Sequence, residues 1–328
     1  MKNIQADIKS GNFKQVYLLY GEEAYLKQQY KQNLVKALNP DGDTMNFNHY
    51  EGKGIDVKQL IDLCETMPFF AERRVVLLEH TGFFKNKCEE LADYMKELPD
   101  YLYLVFAETE VDKRNRMYKA VKACGSIAEF IRQDEKTLMR WAAGILGKAG
   151  KKITQRDMEL LLTKTGTDMG NLRMEMEKLI SYTEGRDVVT AEDIEEICTT
   201  QTTNRIFDMV RAVTEKNQKR ALELYYDLLT LKEPPMRILF LLAKQYRQLL
   251  LAKQFAAAGL AQTEIGSKLG VPGFVVKNIT TCARAYTISE LEQAVKDFVD
   301  AEESVKTGRL EDKLSVELLI IKYSSKVK

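Results

Sequence analysis

Two histidines, one tryptophan and five cysteines are few for a chain of 328 residues, and each scarcity removes a class of chemistry. His49 and His80 stand apart, so histidine-based acid–base catalysis and a His-rich metal site have little to build on. Cys64, Cys88, Cys124, Cys198 and Cys282 form no C-x-x-C pair. An odd number at such spacings reads as reduced, mostly buried thiols rather than disulfides or zinc ligands. No cofactor and no metal is expected. Charge of one sign is also lacking. At a net +1, no global field draws the chain to nucleic acid or membrane, and any such contact must be local. No apolar run approaches the roughly 18–20 residues of a membrane span. The opening MKNIQADIKSGNFK is polar and mixed in charge, unlike a secretory signal, so a cytoplasmic protein is expected.

A more specific absence lies near the start. Residues 16–26, VYLLYGEEAYL, read as a strand, a glycine and a helix entry, the opening of a nucleotide-binding α/β domain. A phosphate loop there needs G-x-x-x-x-G-K-[ST], whose backbone N–H groups cradle phosphates while Lys and hydroxyl serve phosphate and Mg²⁺. Gly21 is instead followed by Glu22 and Glu23, which repel a triphosphate, and neither Gly52-Lys53 nor Gly147-Lys148 has the spacing or the hydroxyl. The third strand ends in Glu79-His80 rather than Asp-Glu, and the fourth in Ala107-Glu108-Thr109, with only Thr109 as a polar sensor. Together these make nucleotide hydrolysis improbable.

What is present is a soluble globular composition, 45% hydrophobic and 30% charged, at a length that suggests two or three domains. Strands are expected at Gln15–Tyr20, Thr44–Tyr50, Arg74–Glu79, Tyr101–Glu108 and Ser126–Phe130, with helices over 22–37, 56–66, 84–97 and 113–123 between them. VVLL and YLYLVF are near-continuous apolar runs, as strands covered on both faces require, so residues 1–132 read as a doubly wound, mainly parallel α/β domain. Beyond Phe130 the strand signals stop. Residues 133–202 read as a small helical domain, with Thr154 and Thr190 placed to cap helices, and 203–328 as almost all helix. The fold class is therefore α/β plus all-α.

Met67-Pro68-Phe69-Phe70 joins the helix at 56–66 to the strand at 74. Two adjacent aromatics in a loop either anchor it to the core or stand out as an apolar wedge for a partner, and spacing alone favours the anchor. Thr263–Lys277, TEIGSKLGVPGFVVK, has a helix-turn-helix outline, but Pro272-Gly273-Phe274-Val275-Val276 offers little to base edges, so a structural hairpin is expected. Basic clusters fall at Lys113, Arg114, Arg116 and Lys119; along Arg237, Lys244, Arg247 and Lys253; and at Lys306 and Arg309 around Gly308. Such clusters are usually solvated or ion-paired faces.

In their order and spacing, VYLLYGEEAYL, MPFFAERRVVLLE, LVFAETEVDKRNRMYKAV, MGNLRMEMEKLISY and EESVKTGRLEDKLSVELLI span the chain. Together they resemble the delta-subunit family of the bacterial DNA polymerase III clamp loader, in its Gram-positive form. The resemblance implies an AAA+-like first domain without ATPase activity, a helical lid, and a helical collar. Through the collar the chain would assemble with the other loader subunits, gamma/tau and delta-prime, into a five-membered ring. It also implies that an apolar pair, here Phe69 and Phe70 with Met67 and Pro68 supporting, enters a pocket on the beta sliding clamp and favours an opened form. Leu-Phe is frequent there in the family, so Phe69 is a departure that keeps bulk and apolarity. On this resemblance the exposed wedge becomes the favoured reading. Lys306, Thr307, Gly308 and Arg309 fall near where loader and primer-template DNA meet. The implied function is that of a non-catalytic subunit, carrying a DNA polymerase label only through its holoenzyme. Other readings are a delta-prime paralogue, a helix-turn-helix DNA-binding regulator, or an ATPase with a degenerate loop. Against delta-prime, its zinc-module cysteines and Ser-Arg-Cys motif are missing.

Overall fold

The computed structural model describes residues 2–199, 202–271 and 273–325. The chain divides into two compact units, Met1–Gln133 and Asp134–Lys328. The first contains, in order, α1 (Lys2–Ser10), β1 (Val16–Tyr20), α2 (Ala24–Leu38), β2 (Phe47–Glu51), α3 (Val57–Glu65), β3 (Arg74–Glu79), α4 (Glu89–Tyr94), β4 (Leu102–Glu108), α5 (Arg116–Cys124) and β5 (Ser126–Glu129). Its five strands pair in the order β2–β3–β4–β1–β5, every pair parallel.

Strand periodicity explains the layers. Val16, Leu18 and Tyr20 of β1 join Val76, Leu78, Leu104 and Phe106 in one core with Leu60, Leu91, Met117 and Val121 from α3, α4 and α5. The intervening Tyr17 and Leu19 join Val75, Leu77 and Val105 in a second core with Ile4 of α1 and Leu34 and Leu38 of α2. Side chains two apart point to one face, so apolar residues at consecutive positions serve both layers.

Several boundaries differ from the sequence expectation. The opening segment is a helix, α1, because Ile4 and Ile8 fall one turn apart and pack onto the sheet's second face. The helix expected over 84–97 shrinks to α4. Gly82 accepts turn bonds from the amides of Lys85 and Asn86, and the buried Phe83 and Phe84 hold that turn to the core. The second strand begins at Phe47 rather than Thr44, since Asn39 and Asp43 tie the preceding residues into a side-chain-closed turn. Three of the five thiols, Cys64, Cys198 and Cys282, are buried, whereas Cys124 is exposed; all five are free.

The second unit begins with α6 (Glu135–Lys148), β6 (Lys152–Ile153), α7 (Gln155–Thr165), α8 (Met169–Tyr182), β7 (Val188–Val189) and α9 (Ala191–Ile197). The parallel pair of β6 and β7 is an addition to the helix-only reading, too short for periodicity to reveal. The threonine caps form as expected. Thr154 accepts from the Asp157 amide, and Thr190 closes a reciprocal capping box with Asp193. There follow α10 (Thr202–Thr214), α11 (Gln218–Thr230), α12 (Pro235–Ala257), α13 (Gln262–Leu269), α14 (Gly273–Ala283), α15 (Ile288–Lys306) and α16 (Asp312–Ser324). Pro235 occupies the first position of α12, where its missing N–H goes unused. α12 packs against α10, α13, α14, α15 and α16, which buries Ile238, Leu239, Leu242, Tyr246, Leu249 and Ala252 along its length. The helix-turn-helix outline is a hairpin of α13 and α14 turned at Gly270 in the left-handed conformation, with Ile265, Val276 and Ile279 in the core. Pro272 lies outside the described residues.

Candidate functional site

β1 delivers the chain to Gly21 at the C-terminal edge of the sheet, the place where α/β folds bind phosphate. Here the backbone donors are already engaged. The Gly21 amide donates to the Thr109 carbonyl at 3.2 Å and the Glu23 amide to the Phe130 carbonyl at 3.0 Å. Gly21 has φ +127°, and a Cβ there would stand 2.2 Å from the Phe130 oxygen, so the turn is closed tightly on β5. Beneath it the buried Lys27 ammonium donates to the carbonyls of Glu108 at 2.8 Å and Gly21 at 3.1 Å. Burial lowers its pKa, against the raising influence of Glu108 and Glu79. Lys31 binds both oxygens of Glu79 at 2.7 and 2.8 Å, and His49 Nε2 reaches the same carboxylate at 3.0 Å. Glu108 accepts from the amide and hydroxyl of Thr81 at 2.9 and 2.6 Å. The strand-end acids thus have protein partners. Among the described residues no cluster of His, Cys, Asp and Glu could hold a metal ion.

The loop between α3 and β3 is arranged differently. Met67, Phe69 and Phe70 are 75%, 58% and 96% exposed, and Pro68 is half-buried. The rings of Phe69 and Phe70 meet edge to face, 4.4 Å between centroids. Phe70 takes φ +50°, a left-handed conformation unfavourable to a side chain with a Cβ. The aromatics therefore do not anchor the loop to the core, contrary to the expectation from spacing alone. Polar side chains hold its backbone instead. Asn46, 3% exposed, accepts from the Phe69 amide at 2.6 Å and donates to the Phe69 carbonyl at 2.8 Å. Arg74, 5% exposed, donates to the carbonyls of Thr66 at 2.8 Å and Met67 at 3.3 Å and to the Asn48 side chain at 3.1 Å. The loop thus presents unburied rings on a hydrogen-bonded backbone, so its apolar surface stays available while the chain carrying it is held.

The sequence alone does not single out Asn46 and Arg74 as the residues that hold this loop. The one signal available was Arg74 at the mouth of an otherwise apolar strand, where a buried guanidinium needs acceptors. Met45, also exposed, directly precedes Asn46.

Lys306, Thr307, Gly308 and Arg309 lie together, exposed, at the C-terminal end of α15, with Thr307 as its cap and Gly308 at φ +73°. Lys306 pairs with Glu302 at 2.5 Å and Arg309 with Glu303 at 4.0 Å, so the local charge is largely offset. Several members of the other basic clusters are likewise engaged. Lys113 pairs with Glu129, Arg114 with Asp112, Arg116 with Asp93, and Arg237 with Glu233, while Lys253 donates to the Ala283 carbonyl.

Family comparison joins both ends of the chain. The family model for the DNA polymerase III delta subunit matches residues 17–130, and that for the delta subunit's C-terminal domain matches residues 203–323. The chain belongs to the DNA polymerase III delta-subunit family. Among curated relatives, DNA polymerase III subunit delta of Bacillus subtilis is 26% identical over 97% of this chain and 95% of its own length. The probable DNA polymerase III subunit delta of Aquifex aeolicus is 22% identical over 80% of this chain and 77% of its own. Among solved structures, the Bacillus subtilis DNA clamp loader delta protein superposes with a TM-score of 0.68 at 24% identity, covering 99% of each chain. That likeness confirms the fold. The delta family model spans the whole wedge loop together with Asn46 and Arg74.

Proposed function

We propose that this delta-family chain is a clamp-loader subunit that binds the beta sliding clamp through Phe69 and Phe70, with Met67 and Pro68 shaping the loop. The observation that carries the reading is the pair of exposed rings on a backbone fixed by Asn46 and Arg74. Each phenyl ring contributes roughly 1.5–3 kcal/mol when fully buried, enough for a compact hot spot. Such a wedge favours an opened clamp only to the extent that it binds that form better than the closed ring.

The division of labour follows the family. Residues 1–132 form an AAA+-like, clamp-binding domain, 133–202 a lid, and 203–328 a collar that assembles with gamma/tau and delta-prime subunits. In the collar, α16 supports this reading. Val316, Leu319 and Ile320 enter the core while Leu314, Leu318 and Ile321 remain exposed at i, i+4 and i+7, giving the helix a second apolar face. The chain neither binds nor hydrolyses ATP, because the amides of Gly21 and Glu23 are committed to carbonyls and two acids replace the phosphate loop. It acts in the cytoplasm, and among the described residues no helix is long and apolar enough to cross a membrane. Lys306, Thr307, Gly308 and Arg309 meet primer-template DNA only within the assembled loader, their charges being offset by Glu302 and Glu303.

The test is binding of the full chain to the sliding clamp of its own organism, beside the Phe69→Ala/Phe70→Ala variant, with circular dichroism to establish that both are folded. Loss of binding in a folded variant supports the reading. Binding that survives the double substitution removes the site from it, and micromolar ATP binding by the isolated chain refutes the statement that it binds no ATP and favours the ATPase alternative.

A further inference from the structure

We propose that Asn46 and Arg74 are positioning residues that pre-organise the wedge, so that the two phenyl rings meet the clamp on a backbone already in its binding conformation. This rests on the clamp-binding reading above. The Asn46 backbone is itself part of the sheet edge, since its carbonyl accepts the Val75 amide at 2.9 Å. From that fixed base the side-chain amide reads the Phe69 peptide unit on both sides, accepting from N–H and donating to C=O, while its second N–H goes to Asp43. Its one carbonyl and both N–H donors are therefore engaged, and no residue of similar size supplies the same set. Arg74 does the equivalent work two residues upstream, spreading its guanidinium over the carbonyls of Thr66 and Met67. Between them the carbonyls of Thr66, Met67 and Phe69 and the Phe69 amide are satisfied from beneath, so these groups do not require the rings to turn inward. Without the brace, Phe70 loses the support that keeps it left-handed, and the loop samples conformations in which the rings are not side by side. Apparent affinity then falls by the fraction of molecules still in the competent form.

The experiment combines residue-resolved amide exchange on the free full chain with clamp binding, for wild type, Asn46→Ala, Asn46→Asp and Arg74→Lys. In Asn46→Ala the Phe69 amide is expected to exchange at least about tenfold faster while β1 amides keep their protection, and clamp affinity to fall about tenfold. Asn46→Asp is isosteric but, once ionised, cannot donate to the Phe69 carbonyl and stands beside Asp43, so it is expected to fall at least as far. Arg74→Lys keeps the charge but cannot span three acceptors, and is expected to loosen Met67 and Phe69 together. A Phe69 amide as protected in Asn46→Ala as in wild type overturns the proposal. So does an opened loop whose clamp affinity stays within twofold. Failure of the wild-type chain to bind the clamp refutes the functional reading itself, whereas wild-type binding with unaffected Asn46 variants refutes only the brace.

Discussion

Replacing Phe70 separates the folding role of the 69–70 pair from its proposed binding role, and the expected order of stabilities is unusual. At φ +50° a residue with a Cβ carries roughly 1–2 kcal/mol of backbone strain, and a ring 96% exposed recovers little of it by burial. What the ring does gain is the edge-to-face contact with Phe69, about 0.5–1.5 kcal/mol. Phe70→Ala keeps the strain and loses that contact, so it should destabilise the first unit by about 0.5–1.5 kcal/mol. Phe70→Gly loses the same contact but releases the strain, offset by about 0.5–1 kcal/mol of extra chain entropy in the unfolded state. The glycine variant is thus expected to be as stable as wild type within about 1 kcal/mol and more stable than the alanine variant. Both should bind the clamp about tenfold to a hundredfold more weakly, since each removes one ring worth roughly 1.5–3 kcal/mol on burial. Trp141, the one tryptophan, lies in the second unit, so its fluorescence is the wrong probe. Exchange of the most protected β1 and β4 amides reads the stability of the first unit directly. An alanine variant more stable than the glycine variant would refute the left-handed conformation at Phe70 and with it the strained presentation of the rings.

Three further perturbations test the surrounding framework. Gly21→Ala forces a Cβ to 2.2 Å from the Phe130 oxygen at a φ suited to glycine, and should destabilise the first unit by about 2–4 kcal/mol in the same exchange measurement. Glu79→Gln leaves the largely buried Lys31 ammonium without its anion and should cost about 2–4 kcal/mol, visible as a lowered first transition in calorimetry. Asp297, on α15, has its pKa depressed: burial pushes it up, but hydrogen bonds from Lys322, Tyr323 and Gln293 outweigh burial. A depressed acid contributes stability that is present above its unfolded pKa and lost as pH falls through the folded value. Helical-unit melting should therefore be insensitive to this group from pH 5 to 8 and decline below about pH 4, with Asp297→Asn removing that part of the decline.

The parallel sheet was readable because its signal is redundant. VVLL and YLYLVF carry apolar side chains to two faces at once, and β1 likewise has five consecutive buried residues. Helix starts at Thr154 and Thr190 were equally plain, since a capping hydroxyl acts within three residues of chain. The wedge was not readable by the same means. Spacing says that adjacent aromatics occur at 69 and 70; it does not say whether they are buried, because that depends on what satisfies the loop backbone. The satisfying groups are Asn46, 23 residues upstream of Phe69, and Arg74. Had position 46 been apolar, the Phe69 amide and carbonyl would have needed other partners, water among them, and the loop backbone would not have been fixed to the sheet. The loop that carries the two exposed phenyl rings is thus held by a buried amide and a buried guanidinium, a long-range polar pairing that periodicity does not encode. The same reasoning explains the closed phosphate site. Glu22 and Glu23 depart in the sequence from a phosphate loop, but only the folded turn reveals that the carbonyls of Thr109 and Phe130 accept the Gly21 and Glu23 amides. In both places a residue's chemistry was legible locally, and its use was decided by a strand neighbour distant in sequence.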